Sequence, residues 1–289
     1  MNIALLGASG YVGSVFQNLL RQRGFNVHVI SRSNCDLYAD NALRNRLESI
    51  QPDYLINCAG YTGKPNVDAC ESSKTDCLQG NTALPGILGE ACKSLDIPWG
   101  HVSSGCIYTG RRDDGKGFRE TDPPNFSFRF NNCSFYSGTK ALGEEILSSL
   151  SNCHIWRLRV PFNNIACPRN YLFKLMSYER LLDVENSLSN LDEFAMAAIE
   201  CMEKSLPFGT YNLTNPGSVT TRQVVDVLKS YKLIDRNVAF FDSENEFMQS
   251  TAIAPRSSCV LDSSLAVSRG LHLTPVMDAI HRACRTWIA

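Results

Sequence analysis

Short apolar runs alternate with amphipathic stretches over the first half of the chain. The runs at 2–6, 26–30, 53–57, 99–103 and 154–160 read as strands, and helical spacing recurs near 12–23, 41–50, 75–95 and 136–150. Near-continuous apolar strands separated by helices predict a parallel sheet covered on both faces. Right-handed crossovers then give an α/β, Rossmann-type, doubly wound fold. The second half is less regular. Helical patterns near 168–178, 190–204, 220–231 and 275–288 are broken by turns at Pro207, Asn215-Pro216-Gly217 and Ala254-Pro255-Arg256. The pattern predicts a dinucleotide-binding domain over 1–160, with 190–213 returning to it. Residues 161–189 and 214–289 are expected to form a smaller lobe, with the substrate in the crevice between the two. Residues 110–134 make a polar loop long enough to act as a lid or substrate loop.

Composition narrows the partners. A chain of 289 residues with 44% hydrophobic residues can bury a sizeable core. A formal net charge of −1 gives no footprint for nucleic acid. The apolar runs fall far short of the roughly 20 residues that span a bilayer, so no membrane partner is expected. The first residues read straight into a strand without a basic, cleavable leader, which predicts a cytoplasmic protein. The 12 cysteines are scattered, with no CxxC and no pairing with the 5 histidines that would suggest a metal site. Cys58 and Cys92 sit in apolar runs and read as small buried hydrophobes in a reducing compartment.

The first run leads directly into Gly7-Ala8-Ser9-Gly10-Tyr11-Val12-Gly13 and then a helical stretch. A buried strand, a turn of small residues and a helix N-terminus together make a pyrophosphate site: the glycines allow close approach, and the helix end offers free N–H groups and positive dipole. The second run ends Val29-Ile30-Ser31-Arg32-Ser33 without the acidic residue that would hold an adenosine 2′-hydroxyl. Ser31 and Arg32 suit a 2′-phosphate instead, which favours NADPH over NADH. A solvent-facing Arg32 is the alternative.

Tyr136 and Lys140 are four residues apart at the start of a helical stretch, so phenol and ammonium share one face. A surface Tyr–Lys pair gives the same string. A free phenol titrates near pH 10, and lowering that by three units needs roughly 4 kcal/mol. A nearby Lys140 plus a cationic nicotinamide is a plausible source. Ser104 follows the fourth run at the carboxyl edge, where open α/β sheets bind ligands. It is placed to hydrogen-bond a substrate carbonyl. If the chain stays extended, Cys106 points to the same side as Ser104. A turn serine and a packed cysteine are the alternatives.

Further segments carry a resemblance over most of the chain. They are Tyr61-Thr62-Gly63-Lys64-Pro65-Asn66-Val67-Asp68, Gly117-Phe118-Arg119-Glu120, Pro124-Asn125-Phe126, Ser134-Phe135-Tyr136-Ser137, Pro168-Arg169-Asn170 and Ala254-Pro255-Arg256-Ser257. With the GxxGxxG turn, the sequence resembles the extended short-chain dehydrogenase/reductases of the dTDP-4-dehydrorhamnose reductase group. Within that group it is most similar to the bifunctional 3,5-epimerase/4-reductases of nucleotide-rhamnose synthesis. The resemblance implies Ser104, Tyr136 and Lys140 for reduction, and Cys106 with Lys174 as the epimerase acid/base pair. Lys174 falls about one turn into the helix expected near Pro168, and a solvated helix-face lysine is the alternative. It further implies that Asp36 and Leu37 flank the adenine, that Ala59, Gly60 and Tyr61 line the cofactor cleft, and that Asn81 helps organise proton relay. Asn163, Arg169 and Arg256 are expected on the substrate side, Arg256 at the diphosphate, although a structural Arg256 fits equally. Residues 127–133 lengthen the loop before Tyr136 relative to the family pattern.

The substrate so implied is UDP-4-keto-6-deoxy-glucose. Its C3 and C5 protons both lie alpha to the C4 ketone, so one oxyanion site serves enolate and alkoxide alike. Epimerisation must precede reduction, because a C4 alcohol no longer acidifies those protons. A 4-reductase acting alone and a non-catalytic NADP-binding sensor are the alternatives. A homodimer through surface helices is compatible with this fold.

Overall fold

A computed structural model describes all 289 residues. The first half contains β1 (Asn2–Leu6), α1 (Tyr11–Gln22), β2 (Asn26–Ile30), α2 (Ala42–Ile50), β3 (Tyr54–Asn57), α3 (Ala69–Ser72), α4 (Lys74–Leu78), α5 (Leu84–Ser94), β4 (Trp99–Ser104), α6 (Phe135–Leu147) and β5 (Cys153–Leu158). The short strands β6 (Pro161–Phe162), β7 (Arg180–Leu181), β8 (Glu185–Asn186) and β9 (Ser189–Asn190) follow, with α7 (Tyr171–Ser177) between β6 and β7. Then come α8 (Leu191–Glu203), β10 (Gly209–Asn212), β11 (Val219–Thr220), α9 (Thr221–Ser230), β12 (Ala239–Phe240), α10 (Glu244–Ser250), α11 (Ser264–Ser268) and α12 (Val276–Arg285).

One parallel sheet of six strands runs β10-β5-β4-β3-β1-β2, as the alternation of apolar runs and helices requires. The chain winds outward from β1 in both directions. The carboxyl ends of β1 and β3 therefore form the crevice where such sheets take ligands. Leu6 lies in register with Asn57 on one side and Ile30 on the other, which brings the three following loops to a common edge. Successive residues of β1 enter opposite cores, as strand geometry dictates. Ile3 and Leu5 pack with Phe16, Leu20, Trp156 and Phe194, whereas Ala4 and Leu6 pack with Leu43, Leu47, Leu88 and Trp99. A separate core joins Phe162, Leu172, Leu188, Val224, Leu228 and Ile280, while Ala266, Leu271 and Leu273 pack with the sheet.

Several elements differ from the sequence expectation. The helix expected over 75–95 is interrupted by a π-helical turn at Gln79–Ala83, with Pro85 in the first turn of α5. The strand expected over 154–160 ends at Leu158, and Val160 takes φ 37°. Helix α7 begins at Tyr171 rather than near Pro168, capped by the Asn170 side chain. The 110–134 loop is docked rather than open. Gly110 and Phe118 bridge to Cys259 and Leu261, and Phe118 stacks on Tyr108 at 4.5 Å. The extra residues at 127–133 cover α6, with Phe128 packed over Gly138 and 5.2 Å from the Phe135 ring. All twelve thiols are free. No helix is long and apolar enough to cross a membrane, and no cluster of three His, Cys, Asp or Glu side chains is arranged to hold a metal ion.

Candidate active site

The glycine turn is shaped by close approach. Gly7 has φ 75°, and a Cβ there would lie 2.5 Å from Ala59 N. A Cβ on Gly13 would lie 2.1 Å from Gly7 O, so the helix packs against the turn only without a side chain. Gly10 caps α1 with no side-chain hydrogen bond, and the first free N–H groups, on Tyr11, Val12 and Gly13, face the turn. Ser9 is exposed beside them. These features fit a dinucleotide pyrophosphate. At the end of β2, Arg32 is exposed and makes no ion pair, while Ser31 and Ser33 share a hydrogen bond at 2.7 Å. Asp36 is exposed, whereas Leu37 is buried and packs in the core on that face of the sheet.

Two of the expected cofactor residues, Tyr11 and Asn81, make hydrogen bonds within the protein. The Tyr11 hydroxyl donates to Asn163 Oδ1 at 3.1 Å, and Asn170 Nδ2 donates to the same oxygen at 3.0 Å. This ties α1 to the start of α7 and leaves Asn163 enclosed, with its carbonyl oxygen already engaged. Asn81, presented by the π turn, accepts from Tyr61 N at 2.9 Å and donates to Tyr61 O at 2.8 Å and Thr139 Oγ1 at 3.2 Å. It clamps the cleft-lining Tyr61 backbone to α6. A Cβ on Gly60 would lie 3.0 Å from Asn81 Oδ1 and 3.8 Å from Lys140 Nζ, so the loop after β3 and α6 meet here.

Helix α6 starts with Ser134 as its cap and turns Tyr136 and Lys140 inward, both buried. Burial raises the Tyr136 phenol strongly, with the nearby Cys106 adding to this and Ser104 acting in the opposite sense. Without a cofactor cation the phenol is thus held protonated, a hydrogen-bond donor. Burial lowers the Lys140 ammonium to about 8, partly offset by the Glu144 carboxylate. Lys140 Nζ donates to Val102 O at 3.1 Å. Glu144 in turn receives Arg157 Nη2 at 2.8 Å and the Ser103 hydroxyl.

The chain does not stay extended after Ser104. It makes a 3₁₀ turn over Gly105–Ile107, and Ser104 Oγ accepts from Cys106 N at 3.2 Å. Cys106 nonetheless stays in the site, half-buried in a cluster with Tyr136, Tyr61 and Val67. It is brought there by the turn rather than by strand alternation. Its sulfur receives Arg159 Nη1 at 3.0 Å.

Lys174 enters from α7. It is half-buried and has no hydrogen-bonded or ionic partner; burial, then Arg169 and Arg256, lower its ammonium. Arg169 Nη2 donates to Gly63 O at 2.6 Å. Arg256 is engaged with Asp68 through contacts of 2.6 and 2.7 Å. It is therefore a structural clamp in this state, and any role at a diphosphate begins from that ion pair. Tyr171, one turn before Lys174, feels the charge of Arg159, which links α7 to Cys106 across the crevice. Two surface depressions, of about 570 and 670 Å³, contain none of Ser104, Cys106, Tyr136, Lys140 or Lys174. The chemistry is concentrated at the sheet edge instead.

Sequence reasoning missed Arg159, Glu144 and Asp68. A signal existed for the first two: arginines at 157 and 159 interrupt an otherwise apolar strand, and Glu144 sits at helical spacing from Lys140.

The family described as RmlD substrate binding domain matches residues 1–283. A bifunctional dTDP-4-dehydrorhamnose 3,5-epimerase/dTDP-4-dehydrorhamnose reductase from Arabidopsis thaliana is 32% identical over 274 residues, covering 91% of this chain and 85% of that protein. A trifunctional UDP-glucose 4,6-dehydratase/UDP-4-keto-6-deoxy-D-glucose 3,5-epimerase/UDP-4-keto-L-rhamnose-reductase from the same plant is 32% identical over 291 residues. That match covers 97% of this chain but 41% of the longer protein. Among solved structures, a UDP-rhamnose synthase from Acanthamoeba polyphaga mimivirus superposes with a TM-score of 0.90 at 24% identity, covering 99% of both chains.

Proposed function

The chain belongs to the RmlD substrate-binding-domain family, and on that premise we propose that it is an NADPH-dependent enzyme converting UDP-4-keto-6-deoxy-glucose to UDP-L-rhamnose by 3,5-epimerisation and 4-keto reduction. The observation that carries this reading is a shared edge. Ser104, Tyr136 and Lys140 meet Cys106 there, and the unpartnered Lys174 approaches from α7.

The roles follow from chemistry. Tyr136 and Ser104 donate to the C4 oxygen and stabilise the charge that gathers on it when a C3 or C5 proton leaves. Cys106 and Lys174, on different elements, serve as the acid/base pair on the two faces of the sugar. Inversion at each carbon requires delivery from the face opposite to removal. The Gly7–Gly13 cradle would hold NADPH, which would supply the hydride for C4. Tyr136 then gives its proton to the alkoxide, with Lys140 holding positive charge beside the phenol. Arg32 is assigned to the adenosine 2′-phosphate, and this favours NADPH over NADH. Arg169 and Arg256 are assigned to the substrate side.

The same reading assigns cofactor binding to 1–160 with 190–213, and substrate binding to 161–189 and 214–289. It extends to a cytoplasmic homodimer. The exposed Phe128, Phe130, Leu142 and Ile146 on and beside α6 support an interface between copies.

The test is turnover of UDP-4-keto-6-deoxy-glucose with NADPH in deuterated water. UDP-L-rhamnose carrying deuterium at C3 and C5 is expected. Product without deuterium at those carbons would leave a 4-keto reductase only, and Cys106→Ser is expected to abolish the deuterium incorporation.

A further inference from the structure

Among the largest wholly enclosed side chains, Arg159 stands beside Trp99 and Trp156, yet it is charged and only 2% exposed. No carboxylate neutralises it. Its Nη2 donates to Asn186 Oδ1 and to Ser257 O at 2.6 Å, both neutral acceptors, and its Nε has no partner. Its Nη1 donates to Cys106 Sγ at 3.0 Å. Arg157, two residues earlier and inside β5, is different: Glu144 grips it at 2.8 Å. A buried cation without a counter-ion is costly, and such charge is retained where an anion forms beside it.

The local fold is arranged around this contact. A Cβ on Gly105 would meet Arg159 Cδ at 3.3 Å and Leu261 Cδ1 at 2.7 Å, so only glycine lets the guanidinium slide under the 3₁₀ turn. The other titratable groups facing Cys106 are Tyr136, Lys140 and Cys259. Burial keeps the phenol and the Cys259 thiol protonated. Lys140 is a cation near the sulfur, but its hydrogen bond goes to Val102 O. Arg159 is the cation in contact.

We propose that Arg159 is the positioning residue of Cys106: it orients the sulfur toward the sugar and stabilises the thiolate through which that sulfur exchanges protons. The proposal rests on the epimerase reading for its use in catalysis, though not for the thiolate itself. In the exchange, the thiolate takes the sugar's C–H proton to form S–H, the C–H electron pair becomes the enolate C=C bond, and the carbonyl π pair moves onto the C4 oxygen; the return of a proton reverses these changes.

The experiment is iodoacetamide alkylation of Cys106, followed by peptide mass spectrometry across pH values from about 6 to about 9.5. An S–C bond forms and iodide leaves, so the rate reports the thiolate. Arg159→Gln is expected to slow alkylation at neutral pH by roughly tenfold or more and to move the midpoint upward, with Arg159→Lys restoring part of the loss. Asn186→Asp guards against simple misfolding. It keeps the guanidinium anchored, supplies a carboxylate that draws off its charge, and should move the midpoint the same way. An unmoved midpoint in Arg159→Gln and Asn186→Asp overturns the proposal, as does equal loss in Arg159→Lys and Arg159→Gln at an unchanged midpoint. A wild-type enzyme that incorporates no deuterium at C3 and C5 but shows the midpoint shifts refutes the epimerase reading and leaves the Arg159 assignment standing. Deuterium incorporation with unmoved midpoints refutes the assignment alone.

Discussion

Glu144→Gln separates charge from shape at the heart of the site. The Glu144 and Arg157 side chains are 9% and 4% exposed, and the carboxylate receives Arg157 Nε at 3.1 Å and Nη2 at 2.8 Å. Glutamine fills the same volume and keeps one acceptor, but it leaves Arg157 as an uncompensated buried cation. Breaking such a pair costs about 3–5 kcal/mol, and the retained hydrogen bond argues for the lower end, about 3 kcal/mol. A second effect follows from helix geometry. Glu144 is one turn beyond Lys140, and its carboxylate is the largest influence opposing the burial that lowers Lys140 to about 8. At roughly 6 Å and an effective dielectric near 20, the lost attraction is about 3 kcal/mol, or roughly two pH units as a ceiling. The proposed role of Lys140 is as an ammonium beside Tyr136, so on that reading activity should fall as pH rises through its titration. In Glu144→Gln that descending limb should move from near 8 to about 7 or below. The stability sign is the reverse. A folded-state value below the free-lysine 10.5 means that Lys140 weakens the fold below about 8, and this penalty fades as pH climbs toward 10.5. Urea unfolding at neutral pH and a pH–rate profile of NADPH oxidation measure both effects. Unfolding free energy within about 1 kcal/mol of wild type, together with an unmoved limb, would refute the reasoning.

Gly13→Ala sets a methyl 2.1 Å from Gly7 O, so cofactor affinity, measured by fluorescence titration, should fall by roughly a hundredfold or more with a stability loss of about 1–3 kcal/mol. Arg32→Ala removes an exposed, unpaired cation; NADPH should bind roughly tenfold to a hundredfold more weakly while NADH binding is unchanged, and equal losses for both would reassign Arg32 to the surface. Tyr136→Phe should lower the single-turnover rate of reduction by about 10²–10⁴ with NADPH still bound, and turnover near wild type would remove Tyr136 from the chemistry.

The legible parts of this molecule are those whose cause is local. The run at 2–6, the glycine turn and the stripe of α1 are contiguous, so one strand–turn–helix could be read directly. Tyr136 and Lys140 lie one helical turn apart and needed nothing else to share a face. Strand β10 was harder: Gly-Thr-Tyr-Asn has no apolar alternation, and its Asn212 is held by Phe118 O and Asp262 O, which lie far away in sequence. Helix α10, Glu244–Ser250, carries no buried residue and so no stripe. The π turn presents Asn81 to Tyr61 on another loop, a contact that periodicity cannot reveal. Cys106 arrives by a turn that depends on Gly105 making room for Arg159 and Leu261. Asp68 and Arg256 meet across 188 residues, so neither segment alone reveals their pairing.

The distribution of charge ties these pieces together. The whole chain carries a formal charge of −1, yet its candidate site gathers Lys140, Arg159, Lys174, Arg169 and Arg256, against Glu144 and Asp68. Each of these carboxylates already holds an arginine. The two charged intermediates of the proposed path, enolate and alkoxide, both place negative charge on the C4 oxygen, and the diphosphate is anionic throughout. Closing the crevice over such a substrate removes water, and the same cations then act through a lower dielectric. Lys174 illustrates the consequence. Burial and two neighbouring arginines depress its ammonium in the free protein, and a bound anion would oppose that depression. On the proposed reading, the proton affinity of Lys174 should therefore rise when the sugar nucleotide binds.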